Sequence, residues 1–284
     1  MEIRKVGVVG AGTMGNGIAQ VFAIAGYNVV MRDIKDEFIA RGLATIRKSL
    51  ERMASRAKIT PEAKDAALGR IEATTEMNAL ADCDLVIEAA LEDVSVKAQI
   101  FRELDAIVKP GAILATNTSS ISVTKVAAAT KRPDHVIGMH FFNPVPMMQL
   151  VEVIRALQTS DEVCRITEEV SRKVGKTPHT VKDSYGFVGN RVLIPMINEA
   201  INCLYEGLAG PDDIDSVMKL GMNHPMGPLA LCDLIGLDIT LNVMETLYQG
   251  FEDSKYRPSP LLKQMVDAGY LGRKTGRGFY TYDK

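Results

Sequence analysis

The sequence predicts an α/β domain on a mostly parallel sheet, followed by a smaller all-α domain. Three observations carry that prediction. As far as Asp183, short β-branched runs alternate with stretches of helical periodicity. A glycine-rich turn separates the first such run from the first helix, and beyond Asp183 hardly any β-branched run remains. Strand–helix–strand alternation predicts parallel pairing with right-handed crossovers, and loss of the period-2 segments predicts a change of domain.

In order, "IRKVGVVG" reads as a strand, "MGNGIAQVFAIAG" as a helix ending on Gly26, and "YNVVMRD" as the next strand. A long charged helix follows from about Lys35 to Lys58, and a shorter one begins at Pro61. "DLVIEAA" (84–90) and "GAILATNTS" (111–119) read as buried strands. Between them "VSVKAQIFRELDAIV" has apolar residues at helical spacing and stops before Pro110, which cannot continue a helix. "HVIGMHFF" and "QLVEVIR" flank a proline-containing bend as an antiparallel pair, and "HTVKD" adds a last edge strand. Past Asp183, "SYGFVGNRVLIPMINEAINCLYEG", "PDDIDSVMKLG", "PLALCDLIGLDITLNVMETLYQG" and "SPLLKQMVDAG" read as helices separated by Gly or Pro. The boundary falls near 183–187, giving domains 1–184 and 185–284.

Composition narrows the function classes. The 284 residues suffice for two domains or one large one, and 46% apolar with 24% charged residues is ordinary for a globular protein. A net charge of -2 gives no reason to expect nucleic acid or an anionic membrane as partner. Cys83, Cys164, Cys203 and Cys232 show no C-x-x-C spacing and no histidine cluster, so no metal site is expected and a reducing compartment is. No stretch is long and apolar enough to span a bilayer, and "MEIRKVGVVG" enters strand-like sequence at once, leaving no room for a signal peptide. A cytoplasmic protein is expected.

The turn "GAGTMG", Gly10, Ala11, Gly12, Thr13, Met14 and Gly15, fits G-x-G-x-x-G and lies between the first strand and the first helix. Gly10 permits the tight turn, Gly12 lets a pyrophosphate approach the backbone, and Gly15 lets helix and strand pack closely. Anion binding at the helix N-terminus completes a Rossmann-type dinucleotide site. Asp33 ends the second strand where a carboxylate hydrogen-bonds ribose hydroxyls and repels a 2′-phosphate. NAD is therefore expected over NADP, a preference tempered by Arg32 beside it. Glu88 and Glu92 follow one strand and "TNTSS" (116–120) another, the strand ends at which open parallel sheets bind ligands. The hydroxyl run reads equally as a capping turn.

In "HFFNPVPMMQLVEVI", Pro146 lies midway between His140 and Glu152, so a hairpin folded there brings imidazole opposite carboxylate. Such a carboxylate raises the basicity of the ring and orients it, as a general base requires. A surface hairpin with a solvated Glu fits the stretch equally well. Lys48, Arg52 and Arg56 share a helix face, with Arg47 and Lys58 near. The face suits either the phosphates of a coenzyme A or plain solvent. Of the remaining histidines, His135 reads as a surface turn residue, His179 as part of the edge strand and His224 as a loop residue with some claim to a cleft.

Together "GAGTMG", "NTSS", "HFFNPVP" followed by "LVEV", "GFVGNR", "HPMGP" and "KTGRGFY" resemble the L-3-hydroxyacyl-CoA dehydrogenases, and most of all their bacterial short-chain members, the 3-hydroxybutyryl-CoA dehydrogenases. The resemblance runs over essentially the whole chain. It implies an oxidoreductase that interconverts (S)-3-hydroxyacyl-CoA, such as 3-hydroxybutyryl-CoA, with the 3-oxoacyl-CoA, here acetoacetyl-CoA, by hydride transfer to NAD. It implies His140 as catalytic base, Glu152 as its partner, and Ser119 and Asn190 as substrate hydrogen-bonders in catalysis. To the cofactor side it assigns Glu92, Lys97, Asn117, Asn143 and Lys274, and it implies a homodimer. Two other readings compete: a dehydrogenase of free hydroxy or sugar acids on the same plan, and a non-catalytic relative that kept the fold. The first would need a cation for a bare carboxylate, which the sequence does not assign. An intact His140–Glu152 pair beside an intact glycine turn argues against the second.

Overall fold

A computed structural model describes residues 1–283 and divides the chain into two compact units, Met1–Asp183 and Ser184–Lys284. The first is an eight-stranded sheet in the order β3-β2-β1-β4-β5-β6-β7-β8, where the strands are β1 (Lys5–Val9), β2 (Asn28–Arg32), β3 (Ile71–Thr74), β4 (Leu85–Glu88), β5 (Ile113–Thr116), β6 (Val136–Phe141), β7 (Leu150–Arg155) and β8 (Thr177–Lys182). All neighbours pair in parallel except β6 and β7, so β7 and β8 run against the rest. The carboxyl ends of β1 to β6 consequently share one edge with the amino end of β7. The order reverses between β1 and β4, and a ligand crevice opens at such a switch point.

Helices α1 (Thr13–Ile24), α2 (Asp36–Ser55), α3 (Pro61–Gly69), α4 (Val94–Ile107), α5 (Val123–Ala127) and α6 (Asp161–Lys173) supply the crossovers and cover the sheet. α1 is buried from Gly15 through Ala23, so its apolar sequence is core all round. α2 buries only Ile39, Gly42, Ile46 and Leu50, at helical spacing, and leaves its charged face outside. Caps fix the helix starts: Thr60 for α3, Asp93 for α4 and Ser160 for α6 each accept a backbone N–H from the first turn. One apolar cluster joins Val6, Val8, Ile18, Phe22, Met31, Ile87, Met139 and Val153 from both elements.

The second unit contains α7 (Gly189–Tyr205), α8 (Pro211–Gly221), α9 (Pro228–Ile235), α10 (Leu237–Phe251) and α11 (Pro260–Asp267). Proline at the first turn of α8, α9 and α11 fits a position whose N–H has no partner inside the helix. Their apolar faces meet in a second cluster around Ile197, Ile201, Leu229, Leu237, Met244 and Leu262.

Three details depart from the sequence reading. β3 has no counterpart there, because "IEAT" is short and its Glu72 is exposed. α5 likewise has none, since it is a five-residue turn capped by Ser122. The continuous helix read over 228–250 is broken at Gly236, whose φ of +107° no helix accommodates.

Candidate active site

Each glycine of the turn after β1 has its own physical reason. Gly10 has φ +106°, and a Cβ there would lie 2.5 Å from the Ala89 carbonyl. A Cβ on Gly15 would lie 1.8 Å from the Gly10 carbonyl oxygen, so helix and turn could not close. Gly12, which caps α1, meets nothing within 4 Å: its bare backbone faces open space, as close approach of a pyrophosphate demands. Gly10, Ala11, Gly12, Thr13 and Met14 line a cavity of ≈ 860 Å³ together with Arg32, Asp33 and Phe38. Asp33 braces the turn, accepting the Ala11 N–H at 2.6 Å and the Ile34 N–H at 2.7 Å. Arg32 donates through Nε to the Thr75 carbonyl at 3.1 Å. The donor set, shape and open glycine fit a dinucleotide.

Beside this cleft a buried ionic network organises the loop after β5. Lys97 is 1% exposed, and its ammonium lies 2.7 Å from one oxygen of fully buried Glu88 and 3.3 Å from Glu92. Glu88 also accepts from the Thr116 hydroxyl and the Ala90 N–H, both at 2.7 Å. Glu92 accepts through one oxygen from the Thr118 hydroxyl at 2.5 Å and from the backbone N–H groups of Ser119 at 2.9 Å and Ser120 at 3.1 Å. The Ser119 hydroxyl also points to it, at 3.3 Å. Burial works to raise the Glu92 carboxyl, but the Lys97 charge and these hydrogen bonds outweigh it and hold it below the ordinary value. Glu92 thus acts as a hub that shapes the Thr118–Ser120 turn and sets the height of Ser119. Lys97 stands behind that hub.

Next along the same edge, His140 and Glu152 are register partners of the antiparallel pair β6–β7. Nδ1 of His140 lies 2.8 Å from Oε2 of Glu152, with both side chains buried. The alternative of a solvated Glu is excluded. Asn117 accepts the Phe141 N–H at 2.8 Å, tying the end of β5 to that of β6 beside the imidazole. The geometry suits Nδ1–H donating to the carboxylate, which leaves Nε2 as the basic nitrogen.

A second cavity, of ≈ 830 Å³, is lined by Lys48, Arg52, Arg56 and Lys58 on one side and by Asn143 through Met147 on the other. The basic face of α2 therefore looks onto the loop that leaves β6. In the second unit, Asn190 lies in the first turn of α7, and its neighbour Arg191 reaches the Tyr256 hydroxyl at 3.2 Å and stacks over Phe251 at 4.3 Å. Lys274 pairs with Asp238 near the start of α10, at 2.5 and 2.6 Å. The glycines of "KTGRGFY" serve a fold requirement: a Cβ on Gly278 would lie 1.9 Å from a carboxylate oxygen of Asp233, which accepts the Phe279 and Tyr280 N–H groups at 3.0 Å. Among the other histidines, His135 forms a turn beside Asp134, at 3.1 Å. His179 is the exposed register partner of Glu152 on β8, and the His224 N–H closes the end of α8 on the Met218 carbonyl.

Sequence reasoning missed the buried partner of Lys97. Glu88 and Lys97 are nine residues apart on different elements, a spacing with no periodic signal. Thr116, Thr118 and Ser120 carried a signal in "TNTSS", but it could not say that Glu88 takes the first hydroxyl and Glu92 the other two.

A crevice at the strand-order reversal, a glycine turn shaped for a pyrophosphate and a buried His–Glu pair on the same edge define a dinucleotide-dependent oxidoreductase. Known proteins agree. Residues 5–184 match the 3-hydroxyacyl-CoA dehydrogenase NAD-binding domain, and residues 186–282 match the 3-hydroxyacyl-CoA dehydrogenase C-terminal domain. The chain is 58% identical to a probable 3-hydroxybutyryl-CoA dehydrogenase of Deinococcus radiodurans, over 98% of this chain and 100% of that one. A 3-hydroxybutyryl-CoA dehydrogenase of Bradyrhizobium diazoefficiens is 54% identical over 99% of this chain and 96% of its own. The crystal structure of (S)-3-hydroxybutyryl-CoA dehydrogenase from Ralstonia eutropha superposes with a TM-score of 0.97 at 57% identity, covering 100% of both chains. The chain belongs to the 3-hydroxyacyl-CoA dehydrogenase family, the NAD-dependent enzymes that oxidise 3-hydroxyacyl-CoA.

Proposed function

We propose that this enzyme interconverts (S)-3-hydroxybutyryl-CoA and acetoacetyl-CoA, with His140 as general base in oxidation and general acid in reduction. The observation that carries the reading is the 2.8 Å contact of His140 Nδ1 with Glu152 at the ligand edge of the sheet. Relatives named for this substrate over the full length of the chain support it. Hydride leaves C3 only as the hydroxyl proton leaves, so a base must reach that oxygen. Nε2 takes the proton, while Glu152 holds the ring and stabilises the imidazolium that forms. Ser119, set by Glu92, and Asn190 hydrogen-bond the substrate oxygens and turn C3 toward the hydride acceptor. Bound NAD supplies that acceptor.

The glycine turn, Asp33, Glu92, Asn117 and Asn143 hold the cofactor in this reading. Lys97 contributes from behind Glu92, and Lys274 from the second domain. Asp33 favours NAD over NADP, because its carboxylate repels a 2′-phosphate. The cavity between Lys48, Arg52 and Asn143 takes the coenzyme A phosphates. Residues 1–184 form the cofactor domain and 185–284 the substrate and dimerisation domain. Exposed Leu208, Val217, Leu220 and Met222 are apolar surface that a second copy would cover. Among the described residues no helix is long and apolar enough to cross a membrane, and the four cysteines are free, which fits work in the cytoplasm. NADH oxidation measured with acetoacetyl-CoA, acetoacetate and a 3-oxo sugar acid tests the reading. Turnover of the thioester alone is expected, and preference for either free acid overturns it.

A further inference from the structure

Lys176 is a charged side chain that the reaction above does not use. It follows α6 and the left-handed Gly175 and precedes β8, yet it is only 8% exposed. Its ammonium donates to the Val145 carbonyl at 2.6 Å and to the Met148 carbonyl at 2.8 Å. Burial pushes its pKa down, and among the described residues no carboxylate opposes that effect. A desolvated cation without a counter-ion costs stability unless carbonyl dipoles compensate, so the two charge-assisted bonds are its reason for being tolerated there.

Those carbonyls belong to the loop between His140 and Glu152. The loop turns on itself where the Met147 and Met148 N–H groups donate to the Pro144 carbonyl, at 2.9 and 3.0 Å. Val145 is 2% exposed and packs so closely on α1 that a Cβ on Gly17 would lie 2.8 Å from its own Cβ. The loop is therefore fastened on one side by Val145 against α1 and on the other by Lys176 from the foot of β8. Its Asn143 to Met147 face the cavity that Lys48 and Arg52 line across from it.

We propose that Lys176 is a positioning residue for acyl-CoA binding: by gripping the Val145 and Met148 carbonyls it holds the loop wall of the Lys48–Arg52 cavity in the shape the coenzyme requires. The inference rests on the reading of that cavity as the coenzyme A site. His140 and Glu152 are placed by the strand ladder, which the clamp does not touch. Loss of the clamp should thus act on substrate affinity and leave the acid–base pair alone.

Steady-state kinetics with acetoacetyl-CoA and NADH, together with amide hydrogen exchange over residues 142–149, test it on the whole enzyme. Lys176→Met keeps the stem and removes the donors. It should raise KM for acetoacetyl-CoA about tenfold, speed exchange in the loop and leave the pH profile of kcat in place. Lys176→Arg, which keeps a buried cation with donors, should recover most of that loss. A KM within about twofold of the wild type, or unchanged loop exchange, overturns the proposal even if the variant melts earlier. Should Lys176→Met not fold, Lys176→Gln takes its place with the same two outcomes. Absence of thioester turnover in the wild type would instead refute the substrate reading, while loop exchange still decides whether Lys176 holds the loop.

Discussion

Replacing Lys97 by Met tests how the turn bearing Ser119 is held. The Lys97 ammonium touches both oxygens of Glu88, at 2.7 and 2.9 Å, and neither side chain has more than 1% exposure. Without it Glu88 keeps, among the described residues, the Ala90 N–H and the Thr116 hydroxyl, two neutral donors, against a buried charge. Removing one partner of a buried pair costs about 3–5 kcal/mol. For a unit of this size each kcal/mol lowers Tm by about 2–4 °C, so Tm should fall by roughly 6–20 °C. Glu88→Gln in the Lys97→Met background removes the orphaned charge and should return part of the loss, with a coupling energy of about 1–3 kcal/mol. Calorimetry on the wild type, both single variants and the double variant gives the cycle. A Lys97→Met protein within about 1 kcal/mol of the wild type, or strict additivity in the double variant, would show the pair to be incidental.

Replacing His140 by Asn should lower kcat by about 10²–10⁴ with NADH binding preserved, and near-normal turnover would remove it as the proton carrier. Glu152→Gln should displace the pH dependence of kcat, whereas a superimposable profile contradicts the proposed coupling. Glu92 has a carboxyl depressed by folding, so its stabilisation is present above the unfolded value of 4.5 and is lost as pH falls through the folded value. The Tm difference between wild type and Glu92→Gln should accordingly be full at neutral pH and shrink in acid, and a gap that stays constant would refute the linkage. Charge reversal at both Lys48 and Arg52 should raise KM for acetoacetyl-CoA about tenfold and leave KM for NADH unchanged. An unchanged thioester KM would remove the cavity as the coenzyme A site.

Most strands were legible because they are buried on both faces, which forces runs such as "KVGVV" and "LVIE" to be apolar or β-branched. The pairing of His140 with Glu152 was legible because antiparallel register about a bend is arithmetic on residue numbers. What escaped has no local pattern. Glu88 and Lys97 read as a strand end and a helix lysine, and only the packed sheet brings one against the other. Lys176 sits in "GKTPHT" like any turn lysine, since nothing nearby tells of carbonyls some thirty residues earlier, at a separation of 31 for Val145. The break at Gly236 hid inside an apolar run, where helix periodicity continues on both sides of the glycine. The hydroxyl residues of the β5 loop were visible, but Glu92, the acceptor that Thr118, Ser119 and Ser120 share, lies 26 residues before the first of these three.

The reversal of direction at β7 also bears on how the fold is assembled. An all-parallel sheet would need a crossover of a dozen or more residues with its own helix between neighbouring strands. Here His140 and Glu152 are only 12 residues apart, so a single short loop closure joins them. The nucleotide crevice, by contrast, waits for β1 to find β4 across a separation of 79 residues between Val6 and Leu85. The proposed acid–base pair and the glycine-turn crevice thus draw on opposite ends of the range of contact distances along one chain.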